Sequence, residues 1–211
     1  MFITVEGIEG SGKSTLLAGL VLRMRDAGVP VITTREPGGT MLGNRLRSLF
    51  VDPASGAIDP LTEALMLNAS RAQLIAEVIG PALHAGRWVL CDRFTHATLA
   101  YQGYGRGLGL NVLRALSALA AKGIAPALTF LVDIPVDISR KRVMSRASAT
   151  GVSADRIERE ELDFHTRVRE GYLALAREDE RIKILDGMLE TEALLDAAWN
   201  FIQPHIAGKA S

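Results

Sequence analysis

The 211-residue chain has a single cysteine, no net charge and no long apolar run. One cysteine, Cys91, excludes an internal disulfide framework and is typical of proteins in a reducing compartment. Its 24 basic residues balance 24 acidic ones, and this balance gives no support for nucleic-acid or membrane binding. No apolar run is long enough to span a membrane, and no targeting segment precedes the first predicted strand. These absences predict a cytoplasmic protein.

What the chain does have is an alternation of short apolar runs with longer helical stretches, which is typical of a parallel sheet covered on both faces. We predict an α/β fold with five strands, at Phe2–Val5, Val29–Thr33, Trp88–Cys91, Leu128–Val132 and Ile182–Leu185. The predicted helices are Ser14–Ala27, Leu61–Ala85, Leu110–Lys122, Val136–Arg146, Arg156–Arg177 and Glu190–Ile206. The predicted loops are Gln102–Gly109 and Ala147–Ala154. Since no linker or repeat divides the chain, residues 1–211 are expected to form one domain.

The most informative motif lies at residues 7–14, where Gly-Ile-Glu-Gly-Ser-Gly-Lys-Ser follows the first predicted strand. This is the P-loop pattern, and its place between a strand and a helix lets backbone N–H groups surround a phosphate chain. Lys13 is expected to reach the outer phosphates, and Ser14 to hold Mg²⁺. The other expected phosphate-binding residues are Gly7, Gly10, Ser11, Gly12 and Thr15. The chain is therefore predicted to bind a nucleoside triphosphate, but the P-loop alone also fits GTPases and mechanical ATPases.

Charged residues follow two more of the predicted strands. Asp92 and Arg93 come directly after the third strand, at the carboxyl edge where ligands bind in parallel α/β sheets. Asp92 is expected to hold a hydrated Mg²⁺ ion, or alternatively to cap a helix. Arg35 lies in the turn sequence Thr-Arg-Glu-Pro-Gly-Gly and is expected to bind an anion, unless this turn is only a surface ion pair.

Five motifs in order along the chain together resemble the bacterial thymidylate kinase family. They are Glu-Gly-x-Glu-Gly-x-Gly-Lys-Ser, Thr-Arg-Glu-Pro-Gly-Gly, Asp-Arg, Ala-Tyr-Gln-Gly and Asp-Arg-Ile-Glu, and they extend from residue 5 to about residue 160. The resemblance implies a P-loop NTPase fold, with helices on both faces of the sheet and a lid. It also implies that ATP and dTMP react to give ADP and dTDP, that Mg²⁺ accompanies the ATP, and that the protein is a homodimer.

The resemblance further implies how the matching residues bind the acceptor. Glu9, inside the P-loop, is expected to contact the 3′-hydroxyl of the sugar. Arg35 and Arg93 are expected to clamp the dTMP phosphate. Tyr101 is expected to pack where a 2′-hydroxyl would sit, which favours deoxyribose. The residues expected at or near the thymine edge are Arg71, Thr98 and Gln102.

A lid is expected because water would otherwise compete with the acceptor for the phosphoryl group. We predict it at about residues 142–156. Family members carry a catalytic arginine either in the P-loop or in the lid, and no arginine occurs between Gly7 and Ser14. Arg146 is therefore expected to stabilise the transferring phosphoryl group, and Arg142 to flank the adenine. The alternative is that both arginines lie on a solvated helix end. The predicted catalytic residues are Glu9, Lys13, Arg93 and Arg146.

Two positions depart from the family pattern, and because of them phosphoryl acceptors other than dTMP remain as alternatives. Leu67 lies near the usual position of a phenylalanine that stacks on thymine, and Ala97 replaces an expected serine. The acceptor alternatives are dUMP, UMP and a non-nucleotide alcohol, although Arg71, Tyr101 and Gln102 argue against them.

A GTPase is disfavoured because no Asn-Lys-x-Asp stretch occurs, and a transport ATPase because there is no second nucleotide signature. Metal-ligand spacing is also absent, so Mg²⁺ is the only metal expected.

Overall fold

The computed structural model describes residues 1–151 and 154–207. Within these residues five parallel strands form one sheet in the order β2-β3-β1-β4-β5. The strands are β1 (Phe2–Glu6), β2 (Val31–Arg35), β3 (Trp88–Asp92), β4 (Leu128–Asp133) and β5 (Ile182–Asp186). The predicted α/β fold with a five-stranded parallel sheet is therefore confirmed. Each strand extends beyond its predicted end, and β2 starts two residues later than expected.

Helices cover both faces of this sheet. In the described ranges they are α1 (Lys13–Asp26), α2 (Met41–Val51), α3 (Pro60–Leu74), α4 (Gly80–His84), α5 (Thr95–Thr98), α6 (Leu110–Ala121), α7 (Val136–Thr150), α8 (Leu162–Glu178) and α9 (Thr191–Ala207). Two π-helical segments, Ile75–Ile79 and Leu99–Gly105, continue α3 and α5, and Pro53–Ser55 forms a 3₁₀ turn. None of the helices described is both long and apolar enough to cross a bilayer.

The sheet separates two layers of apolar packing. On one face Ile3, Val5 and Phe130 pack against the leucines of α1 and α9. On the other face Phe2 and Phe94 pack edge to face, with ring centroids 4.9 Å apart, beneath α3 and α6. Because the central strands are buried on both faces, they carry continuous apolar runs. Each fully buried side chain of this size contributes about 2 kcal/mol to the free energy of unfolding, and together they hold the carboxyl edge of the sheet rigid.

Two stretches are more helical than the sequence pattern indicates. No helix is predicted from the sequence at residues 41–51, but these residues form α2. Thr40 caps this helix, because the Gly43 N–H donates to Thr40 Oγ1 at 2.9 Å. The predicted loop Gln102–Gly109 is wrong in its first half, because residues 99–105 are π-helical. Two of its glycines allow close packing, since a Cβ at Gly103 would lie 2.5 Å from Leu110 Cδ2 and a Cβ at Gly105 would lie 2.7 Å from Phe164 Cε2.

The predicted helix boundaries around the lid also need correction. Helix α7 continues to Thr150, so the predicted loop at Ala147–Ala154 is helical in its first part, and residues 152 and 153 lie outside the described residues. The helix predicted from Arg156 begins only at Leu162. A turn precedes it, in which Asp155 Oδ1 accepts hydrogen bonds from the N–H groups of Ile157 and Glu158 at 2.9 and 2.8 Å. Residues 61–85 are likewise α3, a π-helical segment and α4.

Candidate active site

The P-loop joins β1 to α1 through a sharp turn. Gly7, Gly10 and Gly12 have φ angles of +140°, +70° and +101°, which glycine adopts without steric cost. Gly10 also lies directly under α7, because a Cβ there would be 3.0 Å from the Ser139 carbonyl oxygen. Among the described residues no side chain caps the start of α1. Its first N–H groups therefore point into the loop, where an anion would satisfy them.

The Lys13 ammonium lies inside this loop. It donates hydrogen bonds to the carbonyl oxygens of Gly7 at 3.0 Å and Ile8 at 2.8 Å. Burial, together with the positive charge of Arg93, lowers the pKa of Lys13 from 10.5 to about 8. A desolvated ammonium in a ring of backbone dipoles gains strongly from a nearby phosphate, and phosphate binding by Lys13 stays a prediction.

Three predicted residues line one open cleft at the carboxyl edge: Ser14, Arg35 and Asp92. Ser14 and Arg35 are exposed. Asp92 Oδ1 is buried and has no hydrogen-bond partner in the described part of the chain. A buried carboxylate oxygen without a partner suits a hard cation, which prefers oxygen ligands. In residues 1–151 and 154–207, no three His, Cys, Asp or Glu side chains form a metal-binding cluster on their own.

Six of the seven residues predicted to bind the acceptor share a second pocket. Arg35 is the exception, since it lies in the cleft with Ser14 and Asp92. Leu67 and Ala97, the two departures from the family pattern, also line this pocket, so both face the predicted acceptor. The six residues brought together are Glu9, Arg71, Arg93, Thr98, Tyr101 and Gln102.

Glu9, Arg93 and Tyr101 form a closed hydrogen-bonded triangle in the pocket. Arg93 Nη2 donates to Glu9 Oε1 at 2.7 Å and to the Tyr101 hydroxyl at 3.0 Å. The Tyr101 hydroxyl donates to the Glu9 carboxylate, with oxygen distances of 2.8 and 2.7 Å. Burial raises the pKa of Glu9, but the charges of Arg93 and Lys13 outweigh burial and the net shift is downward. Glu9 is therefore an ionised acceptor between the P-loop and the pocket.

The backbone of Arg93 is held in an uncommon conformation. Its φ of +69° lies in the left-handed region, which is costly for a residue with a side chain. Two bonds fix it: the Arg93 N–H donates to the Val5 carbonyl at 3.0 Å, and the Phe94 N–H donates to Glu6 Oε1 at 2.8 Å. Glu6 Oε2 in turn accepts from Tyr172, whose hydroxyl accepts from Arg93 Nη1 at 3.0 Å. The sequence motifs gave no role to Glu6 or Tyr172.

Arg71 lies in the pocket wall, but its guanidinium is already engaged within the chain. It is 1% exposed and stacks over the Phe94 ring at 5.1 Å. All three of its nitrogens donate hydrogen bonds, to acceptors on Glu36, Asn68, Phe94, Thr98 and Ser117. Burial raises the pKa of Glu36 to about 7, and the Arg71 charge opposes this rise. Contact between Arg71 and a base stays a prediction, and it would require exchange of an existing bond.

Helix α2 adds three pocket residues that the motifs missed, Arg47, Phe50 and Val51. Arg47 Nη1 donates to the Pro37 carbonyl oxygen at 3.3 Å. Burial, with the positive charges of Arg35 and Arg93, lowers the pKa of Arg47. Phe50 adds an aromatic ring to the pocket lining, which also includes the aliphatic Leu67. Apolar residues at helical spacing after Thr40 were the sequence signal for this helix.

Helix α7 packs one face on the P-loop. Ser139 Oγ donates to the Glu9 carbonyl oxygen at 2.6 Å, and Arg142 Nη1 donates to the carbonyl oxygens of Gly10 and Gly187 at 3.2 Å each. Arg142 also lines a pocket beside Gly12 and Thr15. Arg146 follows one turn later on the same face, is more than half exposed and forms an ion pair with Glu158.

A P-loop beside an arginine-lined pocket, both at the carboxyl edge of a parallel sheet, is the arrangement of an ATP-dependent nucleoside monophosphate kinase. The comparison with known families is specific. The chain belongs to the thymidylate kinase family, whose model matches residues 5–198. Members of this family use ATP as phosphate donor and act on nucleotides.

Individual relatives agree over most of their length. The chain is 50% identical to the thymidylate kinase of Citrifermentans bemidjiense over 188 residues, which cover 88% of this chain and 84% of the relative. It is 45% identical to that of Solidesulfovibrio magneticus over 205 residues, covering 96% and 98%. The crystal structure of thymidylate kinase from Ehrlichia chaffeensis superposes with a TM-score of 0.75 at 31% identity, covering 96% of this chain and 98% of that one.

Proposed function

We propose that this chain transfers the γ-phosphoryl group of ATP to the phosphate of dTMP, giving ADP and dTDP. The observation that carries the proposal is the pocket beside the P-loop, in which three carboxylates, two hydroxyls and an amide accompany three arginines. Such a set binds a nucleoside monophosphate, because it offers cations to the phosphate and polar groups to the sugar and base. Family membership gives the direction of transfer and the donor.

On the donor side, the P-loop would hold the triphosphate. The loop amides and Lys13 would bind the phosphates, with the hydroxyls of Ser11 and Thr15 nearby, and Arg142 would lie toward the nucleoside. Ser14 and Asp92 would hold Mg²⁺, and the buried unpartnered Asp92 Oδ1 supports this assignment. When bound, Mg²⁺ neutralises charge on the phosphate oxygens.

On the acceptor side, Arg93, Arg35 and Arg47 would bind the dTMP phosphate. Glu9 would accept a hydrogen bond from the 3′-hydroxyl, and the ring of Tyr101 would exclude a 2′-hydroxyl. These assignments are supported by the Glu9–Arg93–Tyr101 triangle, which fixes all three side chains before a ligand arrives. Such preorganisation lowers the entropy lost when the phosphate binds.

The base would be recognised through Gln102. Its Nε2 donates to Glu63 Oε2 at 3.0 Å, whereas its Oε1 is buried and has no partner within the described ranges. Because Gln102 lines the pocket, this oxygen is suited to accept the N3–H of thymine. Thr98 and Arg71 would complete the polar edge, and Phe50 and Leu67 would enclose the ring faces.

The decisive experiment is a coupled ADP-release assay with ATP and Mg²⁺ against dTMP, dUMP, UMP, CMP and AMP. We expect the highest kcat/KM with dTMP. Turnover with dTMP no faster than without an acceptor would contradict the proposal. Faster turnover with another nucleotide would retain the reaction and replace the substrate, an outcome that Leu67 and Ala97 make worth testing.

We also propose that the protein is a homodimer located in the cytoplasm. Support for the dimer comes from exposed apolar side chains on neighbouring helices α2, α3 and α6, namely Leu42, Leu49, Leu61, Leu65, Val112 and Leu119. Sedimentation equilibrium should give twice the chain mass, and Leu65→Glu should shift the protein toward monomer. A monomeric wild-type protein would contradict the dimer, and recovery in the membrane fraction of lysed cells would contradict the location.

A further inference from the structure

We infer that Glu63 determines base specificity by fixing which end of the Gln102 amide faces the acceptor pocket. Glu63 does not itself line that pocket, so it is a positioning residue that acts through Gln102. The inference rests on the proposed function, in which Gln102 contacts the base. It adds to that function the residue that decides whether the contact is a hydrogen-bond acceptor or a donor.

Glu63 lies on α3 and is 0% exposed. Both of its oxygens accept two hydrogen bonds each. Oε1 accepts from Arg106 Nη2 at 3.1 Å and from Arg156 Nη1 at 2.7 Å. Oε2 accepts from Arg106 Nε at 3.2 Å and from Gln102 Nε2 at 3.0 Å. With four N–H donors around it, the Glu63 carboxylate acts as the acceptor in every one of these hydrogen bonds.

An acceptor of this kind permits one orientation of its neighbour. The two ends of a glutamine amide have nearly the same shape, but only the nitrogen can donate to a carboxylate. Turning the Gln102 amide over would place its oxygen against Glu63 Oε2, two acceptors at 3.0 Å on residues that are 1% and 0% exposed. Glu63 therefore holds the Gln102 nitrogen, and the Gln102 oxygen, which has no partner in residues 1–151 or 154–207, is left at the pocket.

The orientation has a direct consequence for the base. Thymine and uracil present an N3–H donor at the middle of their pairing edge, whereas cytosine presents an N3 acceptor. A fixed amide oxygen bonds to the first two bases and opposes the third. Glu63 thus favours dTMP and dUMP over dCMP, while the distinction between dTMP and dUMP falls to the groups that surround the 5-methyl position.

The two arginines that hold Glu63 come from outside the pocket. Arg106 also donates to Glu160 Oε1 at 2.7 Å, and Arg156 Nε donates to the Phe50 carbonyl oxygen at 2.9 Å. Arg156 lies at the end of the predicted lid segment. Through Glu63, the orientation of Gln102 is therefore linked to Arg156 at the end of that segment.

Glu63→Gln tests the inference because it keeps the shape and introduces one amide nitrogen. Two arginine groups face the Oε1 position and only one faces the Oε2 position, so the new nitrogen is expected next to Gln102. Gln102 would then turn its oxygen toward position 63 and its nitrogen toward the pocket. We expect the ratio of kcat/KM for dTMP to that for dCMP to fall by about tenfold or more.

The controls separate a change in the orientation of the Gln102 amide from a general loss of activity. The ratio of dTMP to dUMP should stay constant in Glu63→Gln, because both bases carry N3–H. Glu160→Gln removes a different carboxylate from Arg106 and should leave the dTMP to dCMP ratio unchanged, and Glu63→Asp should retain most of it. Parallel loss of activity toward dTMP, dUMP and dCMP in Glu63→Gln would overturn the inference.

Failure of the proposed function would look different. Gln102→Leu should reduce the dTMP to dCMP ratio as well. If it does not, Gln102 does not recognise the base and that part of the proposed function is wrong. If Gln102→Leu reduces the ratio and Glu63→Gln does not, the base contact stands and the role of Glu63 is overturned.

A measurement on the wild-type protein covers the case in which Glu63→Gln does not fold. The ¹⁵N side-chain amide signal of Gln102 is assigned by its absence in Gln102→Leu. If the nitrogen faces Glu63, its hydrogens should be protected from exchange with water in the unliganded protein. Rapid exchange that slows when dTMP binds would place the nitrogen in the pocket and overturn the inference.

Discussion

Arg146→Ala is expected to lower kcat by about a thousandfold and to change the KM for dTMP little. The reason is that an arginine on the transferring phosphoryl group stabilises charge that is spread over its oxygens only in the transition state. Between Gly7 and Ser14 the P-loop offers Lys13 as its only cation. Arg146 lies one turn beyond Arg142, whose guanidinium already contacts the Gly10 carbonyl. The measurement is the coupled ADP-release assay at saturating ATP.

Stability provides the first control for this variant. The Arg146 side chain is 56% exposed, whereas its ion-pair partner Glu158 is only 11% exposed, so loss of the pair should lower the free energy of unfolding by about 1–3 kcal/mol, which urea unfolding measures. Lys141→Ala, on the same helix and 75% exposed, is the matched variant and should keep kcat within about twofold of wild type. If Arg142→Ala instead gives the large loss in kcat, the catalytic arginine is Arg142.

The sheet could be predicted from the sequence because its central strands β1, β3 and β4 are buried on both faces and therefore largely apolar, whereas the edge strands β2 and β5 are only partly buried. Each strand nevertheless ends later than its apolar run, at a charged residue. Those residues are Glu6, Arg35, Asp92, Asp133 and Asp186. Backbone pairing continues through these residues, for example between Arg35 and Asp92 and between Asp133 and Asp186. Their charged side chains are tolerated because they lie at the carboxyl edge of the sheet and not in its apolar layers. An apolar pattern records burial and not backbone pairing, so it does not show that these charged residues belong to the strands.

The helical segment at residues 99–105 could not be predicted for a different reason. Around Gly103 and Gly105 the local composition favours a loop, but Phe164 and Leu110 pack where a Cβ would otherwise lie. That advantage of glycine depends on partners from other elements, α6 and α8. Local propensity cannot contain it, and tertiary packing decides the conformation.

The motif residues of the site could be predicted because they are close together in the sequence. The groups that hold them could not. Glu63 fixes Gln102 from 39 residues away, and Tyr172 bonds Arg93 from 79 residues away. Arg71 is an example. Its place in the pocket follows from the motif, but only the three-dimensional structure shows that its nitrogens already donate hydrogen bonds to Glu36 and four other residues.

Arg93→Met is expected to remove activity and to destabilise the fold together. Methionine keeps much of the side-chain volume but leaves Glu9, only 18% exposed, without the cation bonded at 2.7 Å. Removing one partner of a buried ion pair costs about 3–5 kcal/mol, because the remaining charge is left unpaired. Urea unfolding at pH 7 measures this change. In the assay we expect kcat/KM for dTMP to fall by at least about a thousandfold, since the phosphate also loses a ligand.

The double variant Glu9→Gln/Arg93→Met separates these two effects. Removing the charge of Glu9 should restore about half of the lost stability, because the unpaired carboxylate is then absent. Activity should not return, since neither the phosphate nor the 3′-hydroxyl regains its ligand. If the double variant is no more stable than Arg93→Met, the cost lies in packing around Tyr101 and Tyr172 and not in the Glu9 charge. Arg93→Lys should keep most of the stability but not the activity, because an ammonium cannot bond Glu9, Tyr101 and Tyr172 in one plane as the guanidinium does.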